Sequence, residues 1–577
     1  MNPKRQGPDS TESIASSLFA FSILRFRTGV EMIVKTSTMR LPVFWVSRFA
    51  LSMYPGGMGG LLIKTCFAVA VCLWAFQASA QQTYKAASCS QTDVQTAINS
   101  EIAHAADGDT IAIPAGSCTW TGGTPVSVNF TKSVTIQGAG AISATAGGAS
   151  TTGTDQTIII NHMSNNKPVM SFSTTSGKSF RFTGIAVIED GGSLGSAFNG
   201  NISIYGKSTA VRVDHCHFFI AVNGSKGPLF AGSVTGVVDH VYINTNQAIT
   251  NNLVFQNGAF WGNDNQTTGG FGNGSWADGD HWGTNQFMYV EDTRMDGGYG
   301  GDCVQGGRWV LRHSTVLNNH GMEQHGTHDQ YRGCRASESY LNTFNTPAGT
   351  SGGTVHSNSG ASLVWGNAIS GYRSAIDLQY YRINGIPYGT SPAPPNGFGM
   401  CPGIWDNGST CLDLPSRGGG DLLTNLVSSF ADIVNSATGT RAWPRQALSP
   451  IYAWSNTLGG PGASSVIGDN TGVLAANRDY YQQFGAFGES GTFDGTRGVG
   501  QGALSARPST CSAGPGGNAP GVGYWATDTN TLYVCNPTNN WKAYYTPLTY
   551  PHPLALGTSS ASQTSVAPPT GLTATVQ

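Results

Sequence analysis

Seven short segments of the chain align without a gap: RVDHCHF from Arg212, VVDHVYI from Val237, VFQNGAF from Val254, YVEDTRM from Tyr289, VLRHSTV from Val310, RASESYL from Arg335 and LVWGNAI from Leu363. Their second position is always apolar (Val213, Val238, Phe255, Val290, Leu311, Ala336, Val364), and so is their seventh (Phe218, Ile243, Phe260, Met295, Val316, Leu341, Ile369). Both positions therefore point inward. They are an odd number of residues apart, so strict alternation cannot bury both, and the strand must bend between them. The bend falls at the polar third and fourth positions, which read Asp214, Asp239, Gln256, Glu291, Arg312, Ser337, Trp365 and His215, His240, Asn257, Asp292, His313, Glu338, Gly366. The fifth position is mostly small, from Cys216 to Asn367. A repeat of about 25 residues with one bend each predicts a parallel β-solenoid, with coils about 4.8 Å apart. The step from Val237 to Val254 is short for a coil, so that segment is the one least in step.

Other patterns fill in the rest. Asp93–Ala105 has helical spacing at Val94, Ala97, Ile98 and Ile102 and is expected to cap the open end of the solenoid. An insert over 261–286 carries Trp261, Trp276, Trp282 and Phe271 among Gly, Asn and Asp, and is expected to stand over one face. It reads either as a sugar-stacking platform or as a packed lid. Residues 384–420 form a Pro/Gly-rich loop. Residues 503–553 are rich in Tyr and Trp, and GVGYWATDTNTLYVC within them reads as a β-hairpin with a small core of its own. The expected organisation is an all-β chain: a solenoid over 86–500, the aromatic module over 503–553, and a linker over 557–577 that ends in what resembles the first strand of a fibronectin type III domain.

Composition narrows the setting. The run LLIKTCFAVAVCLWAF at 61–76, followed by Ala78-Ser79-Ala80, reads as a secretory signal peptide spanning 58–80. Residues 1–57 then read as an over-called start or an extended leader. Charged residues make up 11% of the chain and the net charge is −2, with no basic stripe for nucleic acid and no second apolar span. Of the 11 cysteines, nine follow Gln81. Cys89 with Cys118, Cys303 with Cys334, Cys401 with Cys411 and Cys511 with Cys535 are plausible local pairs in an oxidising compartment, which leaves Cys216 as a packed free thiol.

DVQTAI, DGDTIAIPAGSCTW and VTIQGAG, followed by the rungs, resemble secreted bacterial proteins of the pectate-lyase-like superfamily. RVDHCHF looks like a strand common in pectate lyases, with Arg212 in place of Trp. The resemblance implies a right-handed parallel β-helix over about 86–500. It does not extend to the Arg- and Pro-containing catalytic strand of pectate lyases, for which WPRQALSP near Arg445 is a poor substitute. Nor does it include the paired acidic signature of polygalacturonase-like hydrolases, of which Asp302-Cys303 and His320-Gly321 are faint echoes.

The densest chemistry lies between Arg308 and Glu338. Elimination from a uronate needs its carboxylate neutralised, a base for the C5 proton and an acid for the leaving oxygen. Arg312, Arg332 and Arg335, with His320, His325, His328 and Glu323, supply these residue types, and the resemblance implies Arg312 as the base. An acidic ladder of Asp214, Asp239, Glu291 and Asp292 is of a kind that holds Ca²⁺. Glu291 and Arg312, and likewise His313 and Glu338, are expected to be neighbours on successive rungs. The competing reading is that stacked polar residues at a bend only satisfy buried backbone and one another. The expected function is an extracellular enzyme that cleaves a uronate-containing polysaccharide by β-elimination. The alternatives are a glycoside hydrolase using Glu323, Asp329, Glu338 or Asp302, and a non-catalytic glycan-binding adhesin.

Overall fold

The computed structural model describes residues 81–556 apart from 105, 196–198, 248, 261–274, 277, 327–331, 348–350, 380–412, 421–445, 460–465, 470–473 and 487–489. The segments expected to be a leader and a signal peptide, the end beyond 556, Trp261, His328, Asp329, Cys401 and Cys411 lie outside these residues.

The chain winds into a right-handed parallel β-helix of three stacked sheets, of 12, 10 and 10 strands. One coil shows the plan: Ala210–Asp214 lies in the first sheet, His217–Ile220 in the second, Leu229–Ala231 in the third, and Gly236–Asp239 begins the next coil. Parallel register joins Arg212 to Val237, Val237 to Tyr289 and Tyr289 to Val310. The insert therefore falls within one coil, between Val254–Gln256 and Met288–Glu291.

Two segments depart from the seven-fold alignment. Val254–Gln256 belongs to the third sheet, between Leu229–Ala231 and Gly301–Cys303. The sixth rung starts three residues later than aligned, because Val310 pairs with Glu338 and Glu338 with Leu363. This register puts Asn342 at the fifth position and Phe344 in the core. His313 and Glu338 are thus not register neighbours, whereas Glu291 and Arg312 are.

The bend residue is left-handed in seven successive coils: His215, His240, Asp292, His313, Leu341, Gly366 and Ser455 have φ of 50, 55, 49, 46, 56, 66 and 55°. The fifth position satisfies the backbone that this bend frees. Thr293 and Ser314 donate back to the Glu291 and Arg312 carbonyls. Asn342, Asn367 and Asn456 donate to carbonyls of the preceding coil and accept its backbone N–H.

Three of the four expected disulfides form among the described residues. They join Cys89 to Cys118, Cys303 to Cys334 and Cys511 to Cys535. The fourth expected pair, Cys401 and Cys411, lies outside the described residues and stays a sequence expectation. Cys216 is free and fully buried.

The helix Gln91–His104 caps the first coil and contributes Val94, Ala97 and Ile98 to the core. Its fourth inward position is Glu101 rather than Ile102, which is 46% exposed. The C-terminal module is a four-stranded sheet, Val499–Gly502, Gly523–Ala526, Thr531–Cys535 and Trp541–Tyr545, and it includes the expected hairpin. Its aromatics do not pack only among themselves, because they close over the outer face of the first sheet. There Trp525 sits 4.9 Å from Trp365 and 5.3 Å from Trp454, and Trp365 stacks on Tyr340 at 4.7 Å. The burial of this large aromatic area attaches the module firmly.

Glu101 gives a pH test. Both its oxygens are buried without a hydrogen bond, and burial, with the Asp109 charge second, pushes its carboxyl up to about 7 from 4.5. Below pH 4.5 the folded and unfolded chains both hold this proton. Between 4.5 and 7 only the unfolded chain releases it, so stability falls as pH rises and the loss is complete above 7. Glu101→Gln is expected to match the parent at pH 4 and to be more stable by about 1–2 kcal/mol at pH 8 in denaturant titration.

Candidate functional site

On the outer face of the first sheet, the acids of the expected ladder are consumed by partners. Asp214 takes two hydrogen bonds from Arg181 at 2.7 Å each, and Asp239 takes two from Arg212 at 2.8 and 2.9 Å. Burial alone would raise Asp214, but Arg181, His215 and Arg212 pull it well below its usual range. Glu291 accepts from Arg312 at 2.8 Å and from the His552 amide at 2.8 Å. Asp292 accepts from the Gly147 amide and the Tyr550 hydroxyl. Four acids committed in this way do not form a Ca²⁺ cage.

Arg312 is sealed as well. Its side chain is fully buried, and its remaining N–H groups donate to Tyr340 and to the Leu548 and Thr549 carbonyls of the C-terminal segment. Arg332 pairs with Asp413, and Arg335 with Asp280 at 2.7 Å, both beneath the insert. Trp276 is buried beside both guanidinium groups, which lie 5.1 and 5.5 Å from its ring centroid, and it donates to the Gly333 carbonyl. Trp282 packs on Phe287 and donates to Tyr544. Of the proposed binding groups, Arg332, Arg335, Trp276 and Trp282 thus hold the insert and the module down on the first sheet. The described part of the insert is a packed lid.

The outer face of the third sheet is different. Met322, Val355 and Ile376 are register partners that point into the core. Their neighbours Glu323, His356 and Asp377 therefore face out, in line with Asp302 one coil earlier. His325, two residues after Glu323, joins them. Its Nδ1 lies 2.7 Å from Asp302 Oδ1 and its Nε2 lies 2.9 Å from Glu323 Oε1. The other Asp302 oxygen accepts from Lys226 Nζ at 2.6 Å and Asn251 at 3.2 Å. His356 Nε2 donates to the His320 carbonyl at 2.6 Å, while its Nδ1 accepts from Gln379 at 2.7 Å. His320 itself contributes that carbonyl, and its ring lies 5.0 Å from the Tyr299 ring.

Charge sets the protonation of this group. Burial opposes a proton on His325, but Asp302 and Glu323 together push it up to about 10. Burial would raise both carboxyls, yet His325 holds each below its usual range, helped at Asp302 by Lys226. Glu323 and His325 are 22% and 25% exposed, so the group opens to solvent. Among the described residues, Asp302, Glu323 and His325 are the group that brings three ligand-type atoms within 4.8 Å of one another.

The structure brings Glu323, His325 and the His320 backbone together and separates them from Arg312, Arg332 and Arg335. Sequence reasoning missed Lys226, His356 and Asp377. The third-sheet strands are mostly short, and Lys226 lies in an isolated bridge to Asn251 outside them, so no period marks them. The signal lay in a second alignment, of the segments around Asp302, Glu323, His356 and Asp377.

No protein-family model and no curated protein matches the chain. Among solved structures, it is similar to the Agl-KA catalytic domain at 12% identity and a TM-score of 0.31, over 69% of this chain and 68% of that one. It is also similar to a mutant of the PL6 family alginate lyase AlyGC at 11% identity and a TM-score of 0.30. That match covers 82% of this chain and 57% of the lyase, little more than half its length.

Arg312 therefore makes a stability prediction. Arg312→Met leaves Glu291 buried and unpaired, and is expected to cost about 3–5 kcal/mol in denaturant unfolding. Adding Glu291→Gln should restore much of that loss. Full stability of the single variant would show that the pair is not structural.

Proposed function

We propose that the chain is a secreted polysaccharide-degrading enzyme that cleaves a uronate-containing glycan by β-elimination, and that it works on the outer face of the third sheet. The observation that supports this most is His325 held between Asp302 and Glu323 at 2.7 and 2.9 Å, with Lys226 beside them and with Glu323 and His325 partly open to solvent. Lys226 and His325 supply the positive charge that attracts and neutralises a uronate carboxylate. His325 is the proton donor to the leaving oxygen. His356, whose proton is fixed on Nε2 by the His320 carbonyl, is the neighbouring imidazole that can take up the C5 proton through Nδ1 once Gln379 gives way.

The donor set also suits a cation. Asp302 Oδ1 and His325 Nδ1 are buried and lie 2.7 Å apart, yet neither makes a hydrogen bond. Asp302, Glu323 and His325 would hold the ion once His325 gives up its proton, so the ion would take the place of the imidazolium in neutralising the substrate carboxylate rather than act beside it. The acids expected to hold Ca²⁺ on the first sheet take no part.

A glycosidase reading has one observation in its favour, the close approach of the Asp302 and Glu323 carboxylates on adjacent coils. A retaining pair stands about 5–5.5 Å apart. It also needs one carboxyl held protonated, and both of these are pushed down.

The test is incubation of the chain from Gln81 onward with a panel of acidic polysaccharides. Unsaturated ends are followed by ultraviolet absorbance and new reducing ends by a separate assay. Rising absorbance is expected. His325→Gln and Lys226→Ala should each lower the rate by about 100-fold or more in variants that circular dichroism shows to be folded. Reducing ends without absorbance would establish hydrolysis instead. Binding with no cleavage of any substrate would leave a glycan-binding β-helix.

A further inference from the structure

The cluster on the third sheet carries a more specific statement about the ion it takes. Three ligand-type side chains come from two adjacent coils: Asp302 from Gly301–Cys303, and Glu323 and His325 from and just after Met322–Gln324. Register fixes Asp302 opposite Glu323. The Cys303–Cys334 disulfide anchors the residue next to Asp302. Lys226 and Asn251 hold one Asp302 oxygen, so the other is turned towards His325. Asp302 is 3% exposed, and that inner oxygen has no hydrogen bond, although it lies beside an imidazole nitrogen that also has none. An ion that both atoms ligate would satisfy the two of them once the His325 proton is displaced.

We propose that Asp302, Glu323 and His325 form a binding site for a divalent transition-metal ion of the Zn²⁺ or Mn²⁺ type, in preference to Ca²⁺. The choice follows from the donors. Ca²⁺ collects six to eight oxygen ligands at about 2.3–2.6 Å. Here one of only three side-chain donors is an imidazole, which suits first-row transition ions. Two carboxylates and one imidazole on a half-open surface leave positions for water or a sugar oxygen, as in metal sites with an open face. The site rests on the third-sheet cluster being the working face, but it does not require that the glycan cleaved be a uronate.

The experiment is calorimetric titration of the chelator-stripped chain, from Gln81 onward, with Zn²⁺, Mn²⁺ and Ca²⁺ separately. One Zn²⁺ site is expected, at least about tenfold tighter than any Ca²⁺ site, with Mn²⁺ between them. His325→Gln should weaken Zn²⁺ by about 100-fold and leave Ca²⁺ within about threefold. Asp302→Asn should weaken all three ions. Circular dichroism melting shows whether each variant folds. If a variant does not, the order of affinities on the unsubstituted chain decides. Ca²⁺ binding as tight as Zn²⁺, no ion binding at all, or an unchanged Zn²⁺ site in folded His325→Gln each overturns the proposal. Because the readout is the ion alone, a chain that binds Zn²⁺ but cleaves no uronate keeps this site and loses the elimination reading.

Discussion

The left-handed residue at the corner between the first and second sheets is the constraint on which this fold depends. One residue per coil turns the strand so that the positions before and after it can both face inward. Left-handed backbone costs a non-glycine residue about 1 kcal/mol, and here His, Asp, Leu and Ser occupy it as well as Gly. The conformation persists because the corner is over-determined. Apolar side chains on either side are buried, and the fifth-position Thr, Ser and Asn tie each corner to its own coil and to the next. A shift of one residue in any coil would break those bonds and expose its inward set. The register fixed there is what brings Asp302 level with Glu323 on the opposite side of the coil.

The same stacking explains why two rows of acids have different fates. Parallel coils place like residues about 4.8 Å apart, so a row of carboxylates must be neutralised or tolerate repulsion. On the first sheet Asp214, Asp239 and Glu291 each meet a guanidinium, and the C-terminal segment then closes over Glu291 and Arg312. Such pairs are geometrically demanding and contribute specificity of packing more than net stability. Arg312 shows how far this goes, because its last donors are spent on two backbone carbonyls of residues more than 230 positions away in sequence. On the third sheet the counter-charges are Lys226 and the imidazolium of His325, and Glu323 and His325 stay partly open to solvent.

Much of this was legible in the sequence. The apolar second and seventh positions located the first- and second-sheet strands and the bend, and five of the seven segments, those from Arg212, Val237, Tyr289, Val310 and Leu363, keep the register they were given. The segment at Val254 misled because a buried third-sheet strand has the same apolar look as a first-sheet strand. The segment at Arg335 slipped because Ser339, Tyr340 and Asn342 are not the apolar and small residues that the alignment sought. The Arg and His cluster was correctly seen as dense but wrongly seen as single. A solenoid coil sends residues only a few positions apart to different faces, so Arg312 and His325, close in sequence, belong to different environments. No spacing rule separates them until the coil's three sheets are known.

That separation bears on where chemistry can evolve in such a fold. A face that must anchor a lid is committed to pairing its charges, since an unpaired group under the lid carries the full desolvation cost. Glu338 shows the strain of that arrangement. Burial pushes its carboxyl up to about 7 even though the Gly283 amide and Tyr545 hydroxyl donate to it. The third sheet carries no such lid among the described residues at Glu323 and His325. Its short strands leave each outward side chain close to a turn, where residues such as Lys226 can be added without disturbing the ladder. A reactive group there needs support from only one or two neighbouring coils, and the disulfide at Cys303 makes that support stiff. In this molecule the strongest charge pairing marks the scaffold, and the incompletely satisfied pairing of Asp302 with His325 marks the place where a ligand has something to gain.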